Sequence, residues 1–476
     1  MTAPHVAVNL WDWDPAWNDL ALFARFCDQL RELGVDAIET TAPWSETEPE
    51  PGRLRPEAVL DRLVLARSRG LEARVRLNLQ DPPSWWTPTW STDGAGAPFV
   101  KGYGRQPLLP SLFDDELLER WAWWAEAIAG AVAPLSPSYS LGMGLHFELK
   151  YGEWLGYERV PDAPAPERCE GQPLSPRVLS WVAQREERLR TVADALAGAV
   201  RRSDPDARLS APLGEGFRHQ AARFGNQDIA GLSAHADEVV YSHDFFIHGL
   251  GSDWQLETST AVYRTVTGRP VHVELDGAGT GVYQRFGDEG LLDQARAALR
   301  GGATGFNVAN FTGRREWSDD LAQFGFIPRL KELETRAPEG AADTAVLLSS
   351  WSYYVDRDAT ESLHAQHYGL VDALRRGGSA VSAVGSAEGV ARLEPGIPLL
   401  LPPRTVVDEG LRAAIESRPD LLLVGVGSGD ARRLDTEWRI APWRPALSGT
   451  IPGDYTRENS GPTPSTIGAG EWEDRA

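Results

Sequence analysis

The chain has 476 residues, which is too long for one small core and fits a large domain followed by a smaller one. Its formal net charge of −21 argues against nucleic acid as a partner, because phosphate binding requires a basic face. Its two cysteines, Cys27 and Cys169, provide neither a disulfide framework nor a cysteine-based zinc site. No secretory signal or membrane-spanning segment is evident, so we expect a cytoplasmic protein without a membrane partner.

Strand and helix patterns alternate eight times in the first part of the chain. The predicted strands are residues 5–11, 35–41, 71–80, 139–148, 207–215, 237–244, 270–274 and 304–311. Eight such units predict a (β/α)8 barrel, an α/β fold, over residues 1–339. The competing open sheet normally carries a glycine-rich phosphate loop after its first strand. Here that position reads NLWDWDPAW, without glycine, which favours the barrel.

Polar residues are concentrated at the C-terminal ends of these strands, and we expect charged residues to be sparse within them. This asymmetry is typical of an active site on one barrel rim. The long segment 81–114 after the third strand contains Trp85 and Trp86 and predicts one wall of a substrate cleft.

Two strands end in a glutamate, Glu148 after strand four and Glu274 after strand seven. Glycosidic bonds are cleaved by two carboxyl groups that face each other across the bond, about 5–5.5 Å apart in retaining enzymes. Because strands four and seven lie on opposite sides of a barrel, we predict Glu148 as acid/base and Glu274 as nucleophile. Lys150 and Tyr151 are expected to orient Glu148, and Tyr241 or His243 to hydrogen-bond Glu274.

The predicted substrate-binding residues combine aromatic rings, which stack on sugar faces, with polar groups that bind hydroxyls. They are Trp11, Glu39, Trp44, Asn78, Trp85, Trp86, Lys150, Tyr151, Trp154, Glu215, Tyr241, His243, Asp244 and Asn307. The histidines lack metal-site spacing, so no metal or other cofactor is predicted. His272 precedes Glu274 by two residues on the same strand face, where interior packing and a ligand role both stay open.

The composition changes after residue 339. Segments such as TAVLLSS and LLLVGVG predict strands, with helices between them, so residues 340–443 form a second, smaller open α/β domain. Residues 444–476 are rich in Gly, Pro, Ser and Thr and predict a tail that is flexible or wraps on a neighbour.

The chain from about residue 5 to residue 440 distantly resembles the family forty-two glycoside hydrolases, the bacterial β-galactosidases. The resemblance is carried by Trp44, Ser45, Glu48, Pro49 and Gly52 after strand two, and by Pro82, Pro83 and Trp85 after strand three. It also covers PSLFDDELLERW and HAQHYGLVDALRRGG. The resemblance implies a β-galactosidase-like exo-enzyme that acts on a small oligosaccharide or glycoside. It also implies an amidotransferase-like second domain that builds a homo-oligomer, most simply a trimer.

Two departures keep alternatives open. Phe147 stands where that family has an asparagine before the acid, and we expect the family's terminal β-sandwich to be missing. The run from Glu148 to Tyr151 is also similar to the acid segment of β-amylases, whose inverting reaction needs carboxyls about 6.5–9.5 Å apart. An inverting glucan hydrolase and a non-catalytic sugar-binding barrel therefore remain alternatives.

Overall fold

A computed structural model describes most of the chain before residue 425. The described residues are 2–10, 15–79, 82–87, 89–92, 110–135, 138–142, 176–214, 228–242, 253–276, 287–309, 324–335, 340–355, 360–402, 405–425 and 441–442. Eight parallel strands close into a barrel in chain order. They are β1 (His5–Leu10), β2 (Ala37–Pro43), β3 (Glu72–Asn78), β4 (Ser138–Ser140), β5 (Arg208–Leu213), β6 (Glu238–Tyr241), β7 (Val271–Asp276) and β8 (Gly305–Ala309). The predicted barrel is confirmed.

Helices separate the barrel strands. Those described are α1 (Pro15–Asn18), α2 (Leu20–Glu32), α3 (Trp44–Thr47), α4 (Glu57–Ser68), α5 (Asp115–Val132), α6 (Pro176–Ser203), α7 (Ile229–Leu232), α8 (Asp253–Thr267), α9 (Gly287–Arg300) and α10 (Ile327–Lys331), with a 3-10 turn at Ala133–Leu135. Aspartates start three of them: Asp19 caps α2 and Asp114 caps α5, each accepting two backbone N–H groups of the first turn, and Asp228 caps α7, accepting the N–H of Gly231. No helix among the described residues is long and apolar enough to cross a membrane.

The two faces of the barrel sheet differ in chemistry. Outward side chains are apolar and pack under the helices; they include Val6, Val8, Leu10, Ile38, Val75, Leu77, Val271, Val273 and Leu275. Strand alternation and register turn a polar set inward: His5, Asn9, Glu39, Arg74, Arg76, Asn78, Ser140, Arg208, Glu238, His272, Glu274 and Asn307. Barrels of this fold generally fill the interior with Val, Ile and Leu. The expectation that charged residues are sparse within the strands is therefore wrong.

A second parallel sheet follows the barrel in the order β10-β9-β11-β12-β13. Its strands are β9 (Thr344–Leu347), β10 (Val381–Val384), β11 (Pro398–Leu401), β12 (Leu422–Gly425) and β13 (Ala441–Pro442). The helices are α11 (Ser350–Val355), α12 (Thr360–Arg376), α13 (Ala387–Ala391) and α14 (Glu409–Glu416). The predicted smaller α/β unit is confirmed, whereas the boundaries at 339 and 443 stay predictions.

The second sheet packs against the barrel through α8. Thr265 Oγ1 accepts the backbone N–H of Ala383 at 3.0 Å, and Arg375 donates to the Arg300 carbonyl at 2.9 Å. Val346 and Leu348 belong to the same buried cluster as the barrel core, while a separate cluster around Leu399 fills the other face of the sheet. One face of the second sheet is therefore buried in the same apolar cluster as the barrel core.

Candidate active site

Glu274 lies inside the barrel and is partly buried. Its neighbour in the strand register is Asn307 on β8, and Ser242, directly after β6, donates a 2.9 Å hydrogen bond to Glu274 Oε1. A carboxylate held by a hydroxyl donor in a polar barrel interior is suited to nucleophilic attack or to binding a sugar hydroxyl.

A second inward carboxylate lies close by in the register. Glu39 on β2 is 2% exposed and forms an ion pair with Arg76 of β3. Because barrel strands are tilted, side chains at one level come from alternate strands. The register puts Asn9, Arg76 and Glu274 at one level, and Glu39 and Asn307 at the next level toward the N-terminal end.

Two asparagine amides at these levels are buried and have no partner among the described residues. Asn9 is 1% exposed and Asn307 is fully buried. Within the described part of the chain, neither the amide nitrogen nor the amide oxygen of either residue has a hydrogen-bond partner. Buried amides are ordinarily satisfied, because leaving one unpaired costs about 1–3 kcal/mol. These amides therefore require an explanation.

The N-terminal end of the barrel interior is filled by ion pairs. Arg74 donates to Glu238 at 2.9 Å, and Arg208 and His272 lie 3.5 and 3.9 Å from the same carboxylate. His5 stacks on His272 with ring centroids 5.4 Å apart and contacts Glu72 at 3.2 Å. Single atoms such as His272 Nδ1 have no partner in the described part of the chain, but each of these side chains has at least one contact.

Burial lowers the pKa of His272 to about 4, although the nearby Glu238 carboxylate opposes the shift. The imidazole is therefore neutral near pH 7. The pKa of Glu238 is also lowered: burial raises it, and the neighbouring His272, Arg74 and Arg208 lower it by more. His272 packs within the barrel at its N-terminal end, so interior packing is the role that the structure supports.

Three predicted binding tryptophans form one cluster. Trp44 lies 6.2 Å from Trp85 and 5.8 Å from Trp86 between ring centroids. Trp44 is fully buried, and its indole N–H donates to Glu48 at 2.8 Å, so it packs within this cluster, and the binding role predicted for it stays a prediction. Trp85 and Trp86 are partly buried, and the Trp85 N–H donates to the Glu48 carbonyl at 2.8 Å.

Glu48 joins three segments around this cluster. Its carboxylate accepts the Trp44 indole N–H and the Gly52 backbone N–H, and it forms an ion pair with Arg120 of α5. The Arg120 guanidinium lies 5.2 Å from the Trp85 ring centroid. The aromatic segment after β3 is thus anchored to the turn after β2 and to α5.

The predicted hydrogen bond from Tyr241 or His243 to Glu274 stays a prediction, and His243 lies outside the described residues. Tyr241 belongs to the outer apolar cluster and stacks on Tyr263 of α8, with centroids 4.3 Å apart. Successive strand residues face opposite sides of a sheet. The next residue, Ser242, therefore makes the contact with Glu274.

The other predicted site residues divide into two groups. Glu39, Asn78 and Asn307 face the barrel interior with Glu274. Outside the described residues lie Trp11, Glu148, Lys150, Tyr151, Trp154, Glu215, His243 and Asp244. No cluster of three or more His, Cys, Asp or Glu side chains suited to a metal occurs in the described part.

Sequence reasoning did not assign Arg76, Ser242 or Asn9 to the site. The alternation Glu72, Arg74, Arg76 and Asn78 along β3 is the signal that points to an inward polar face. The expectation that charged residues occur only at strand ends does not include this inward face of β3.

No protein-family model and no curated protein sequence matches the chain. Solved structures do match its fold. A β-galactosidase from Halorubrum lacusprofundi has a TM-score of 0.65 at 17% identity, covering 88% of this chain and 72% of that one. A β-galactosidase from Marinomonas ef1 has a TM-score of 0.62 at 13% identity, with 88% and 75% covered. An exo-β-1,4-mannosidase from Opitutaceae bacterium strain TAV5 has a TM-score of 0.54 at 14% identity, with 91% and 79% covered. At these identities the likeness shows a shared fold.

Proposed function

We propose that this protein is a glycoside hydrolase that cleaves a β-glycoside with retention of configuration. The observation that carries the proposal is Glu274, an inward carboxylate held by Ser242 and flanked by Asn307 in a polar barrel interior. The similarity in fold to β-galactosidases and to an exo-mannosidase supports the same class of reaction. β-Galactosides are the first substrates to try, followed by other β-glycosides and an arabinoside.

In the proposed reaction the Glu274 carboxylate attacks the anomeric carbon while Glu148 protonates the departing glycosidic oxygen. The bond from the anomeric carbon to the leaving group breaks as the bond to Glu274 forms. Glu148 then removes a proton from water, which attacks the anomeric carbon and releases Glu274. The role of Glu148 follows from its position after strand four in the sequence.

The test separates the two carboxyl groups. Glu274→Gln should lower turnover of all substrates on the order of 10⁴-fold or more, because no glycosyl-enzyme forms. Glu148→Gln should retain the first step on aryl glycosides with good leaving groups, and azide should restore turnover with a β-glycosyl azide as product. Product of inverted configuration from the wild type, followed by NMR of the anomeric protons, would reject retention. Equal behaviour of the wild type and both variants would reject catalysis.

We also propose that the second sheet takes part in a homo-oligomer, with a trimer as the expected state. The proposal rests on the sequence resemblance of residues 340–443 to a trimer-forming domain. Light scattering of the full chain at micromolar concentration should give about three times 52.1 kDa. A monomer mass would reject it.

A further inference from the structure

We propose that Tyr263 is a positioning residue for Glu274. From outside the barrel it fixes the ends of β5 and β6, and through them the Ser242 hydroxyl that holds the Glu274 carboxylate. The role given to Glu274 rests on the proposed function. Tyr263 itself lies on α8 and acts only through other residues.

The Tyr263 hydroxyl contacts the end of β5. Tyr263 is 1% exposed, and its hydroxyl donates to the backbone carbonyl of Gly214, the residue directly after β5. A buried phenol hydroxyl normally has a hydrogen-bond partner, and here the partner lies just beyond the last residue of a barrel strand. The bond therefore fixes the chain at the point where β5 ends.

The Tyr263 ring contacts the end of β6. It stacks on Tyr241, the last residue of that strand, with ring centroids 4.3 Å apart and ring planes inclined by 28°. Tyr241 is also only 1% exposed, so the two rings form a packed contact. One side chain of α8 therefore holds two neighbouring strands at their C-terminal ends.

The two strand ends meet at Ser242, which directly follows Tyr241. The Ser242 backbone N–H donates at 2.9 Å to the carbonyl of Leu213, the residue before Gly214. Its hydroxyl donates at 2.9 Å to Glu274 Oε1. Because the serine side chain is short, the position of its hydroxyl depends on the position of its backbone. A displacement of either strand end therefore moves the donor that holds the Glu274 carboxylate.

The second sheet and its helices hold α8 in turn. Thr265 Oγ1 accepts the backbone N–H of Ala383 of β10 at 3.0 Å, and Thr258 Oγ1 donates to Asp372 of α12 at 3.4 Å. Tyr263 therefore extends from a helix that is fixed by the barrel and by the second sheet. A residue that positions a catalytic group must itself be held in this way.

Steady-state kinetics of the full chain on its best aryl β-glycoside tests the role. Tyr263→Phe removes only the hydroxyl bond to Gly214, and Tyr263→Leu also removes the ring stack. We expect kcat to fall about tenfold in the first and about 100-fold in the second, with KM within about twofold of the wild type. The reason is that a misplaced nucleophile affects the transition state more than substrate binding. Wild-type kcat in Tyr263→Phe would overturn the proposal.

Tyr139→Phe is the matched control. Tyr139 of β4 is fully buried, and its hydroxyl donates at 3.0 Å to Asp204, directly after α6. The substitution removes the same kind of bond at the N-terminal end of the barrel, so kcat and KM should keep their wild-type values. An equal fall of kcat in Tyr139→Phe and Tyr263→Phe would overturn the proposal, because the loss of any buried hydroxyl would then have the same effect.

A double variant shows whether Tyr263 acts through Ser242. Ser242→Ala should itself lower kcat, since it removes the donor to Glu274. If Tyr263 acts through that donor, Ser242→Ala combined with Tyr263→Phe should be no slower than Ser242→Ala alone. Losses that multiply in the double variant would mean that the two residues act independently, which overturns the proposal.

Carbon-13 NMR of the Glu274 carboxyl separates this proposal from the proposed function, because it needs no turnover. The signal is assigned by its loss in Glu274→Gln. A hydrogen bond to a carboxylate favours the ionised form, so the carboxyl should be half-ionised at a higher pH in Ser242→Ala and in Tyr263→Phe than in the wild type. That change without hydrolysis of any glycoside would support the positioning role and reject the hydrolase. Hydrolysis by the wild type with an unchanged titration in Tyr263→Phe would support the hydrolase and reject the positioning role.

Discussion

The two ends of the barrel interior are both polar, but they satisfy their polar groups differently. At the N-terminal end, Arg74 and His272 both contact the Glu238 carboxylate. Around Glu274, the amides of Asn9 and Asn307 have no partner among the described residues. A buried group that is paired inside the protein contributes to folding, whereas an unpaired one is available to a ligand at a cost in stability. The contrast separates a structural end from a candidate functional end.

The largest change in stability is expected when the ion pairs at the structural end are removed. Glu238→Leu leaves Arg74 buried without its carboxylate and should lower the free energy of unfolding by about 3–5 kcal/mol, measured by urea denaturation. Glu238→Gln, which keeps a hydrogen-bond acceptor, should cost less. Adding Arg74→Met to Glu238→Leu should recover most of the loss. If Glu238→Leu lowers the free energy of unfolding by less than about 1 kcal/mol, the proposed structural role of the Arg74–Glu238 pair is contradicted.

The next largest effect is a change in how the free energy of unfolding depends on pH, and it comes from His272 at the same end of the barrel. The pKa of His272 is lowered to about 4 in the folded protein, below the usual 6.5. Between these values the unfolded chain binds a proton that the folded protein does not, so stability falls as the pH decreases. From pH 7 to pH 5 this amounts to about 2 kcal/mol.

His272→Gln should remove that part of the pH dependence. Urea unfolding of the variant at pH 7 and pH 5 should therefore differ by about 2 kcal/mol less than that of the wild type. Because the comparison is made within each protein, any constant loss from the substitution cancels. An identical pH dependence in both proteins would mean that His272 is not buried in its neutral form.

The smallest expected effect is a gain in stability at the functional end, opposite in sign to the loss expected at the structural end. Asn307→Leu replaces an unpartnered buried amide with an apolar side chain of similar size, and should raise the free energy of unfolding by about 1 kcal/mol in the absence of sugar. The same type of replacement in a satisfied network destabilises a protein. A loss of more than about 1 kcal/mol would indicate that Asn307 is paired inside the folded protein.

Local patterns were sufficient for the architecture. Eight alternations of strand and helix predicted the barrel, which the structure confirms. The position of Glu274 inside the barrel followed from its place near the end of β7. These features depend on the periodicity of apolar and polar side chains over a few neighbouring residues, and a single sequence is enough to show that periodicity.

The contacts that distinguish site from scaffold were decided by tertiary structure. Ser242 donates a hydrogen bond to Glu274, and the residue before it, Tyr241, stacks on Tyr263 of α8. Trp44 is enclosed by Trp85, Trp86 and Glu48, which come together only when the turn after β2 meets the segment after β3.

The sequence by itself determined the order of the strands and the polar or apolar character of each position. Tertiary structure decided which polar residues meet. Glu238 finds Arg74, 164 residues earlier in the chain, whereas the amides of Asn9 and Asn307 find no partner among the described residues. The physical reason is that hydrogen bonds and ion pairs require contact within a few ångströms. In a closed barrel that contact is set by the register of all eight strands.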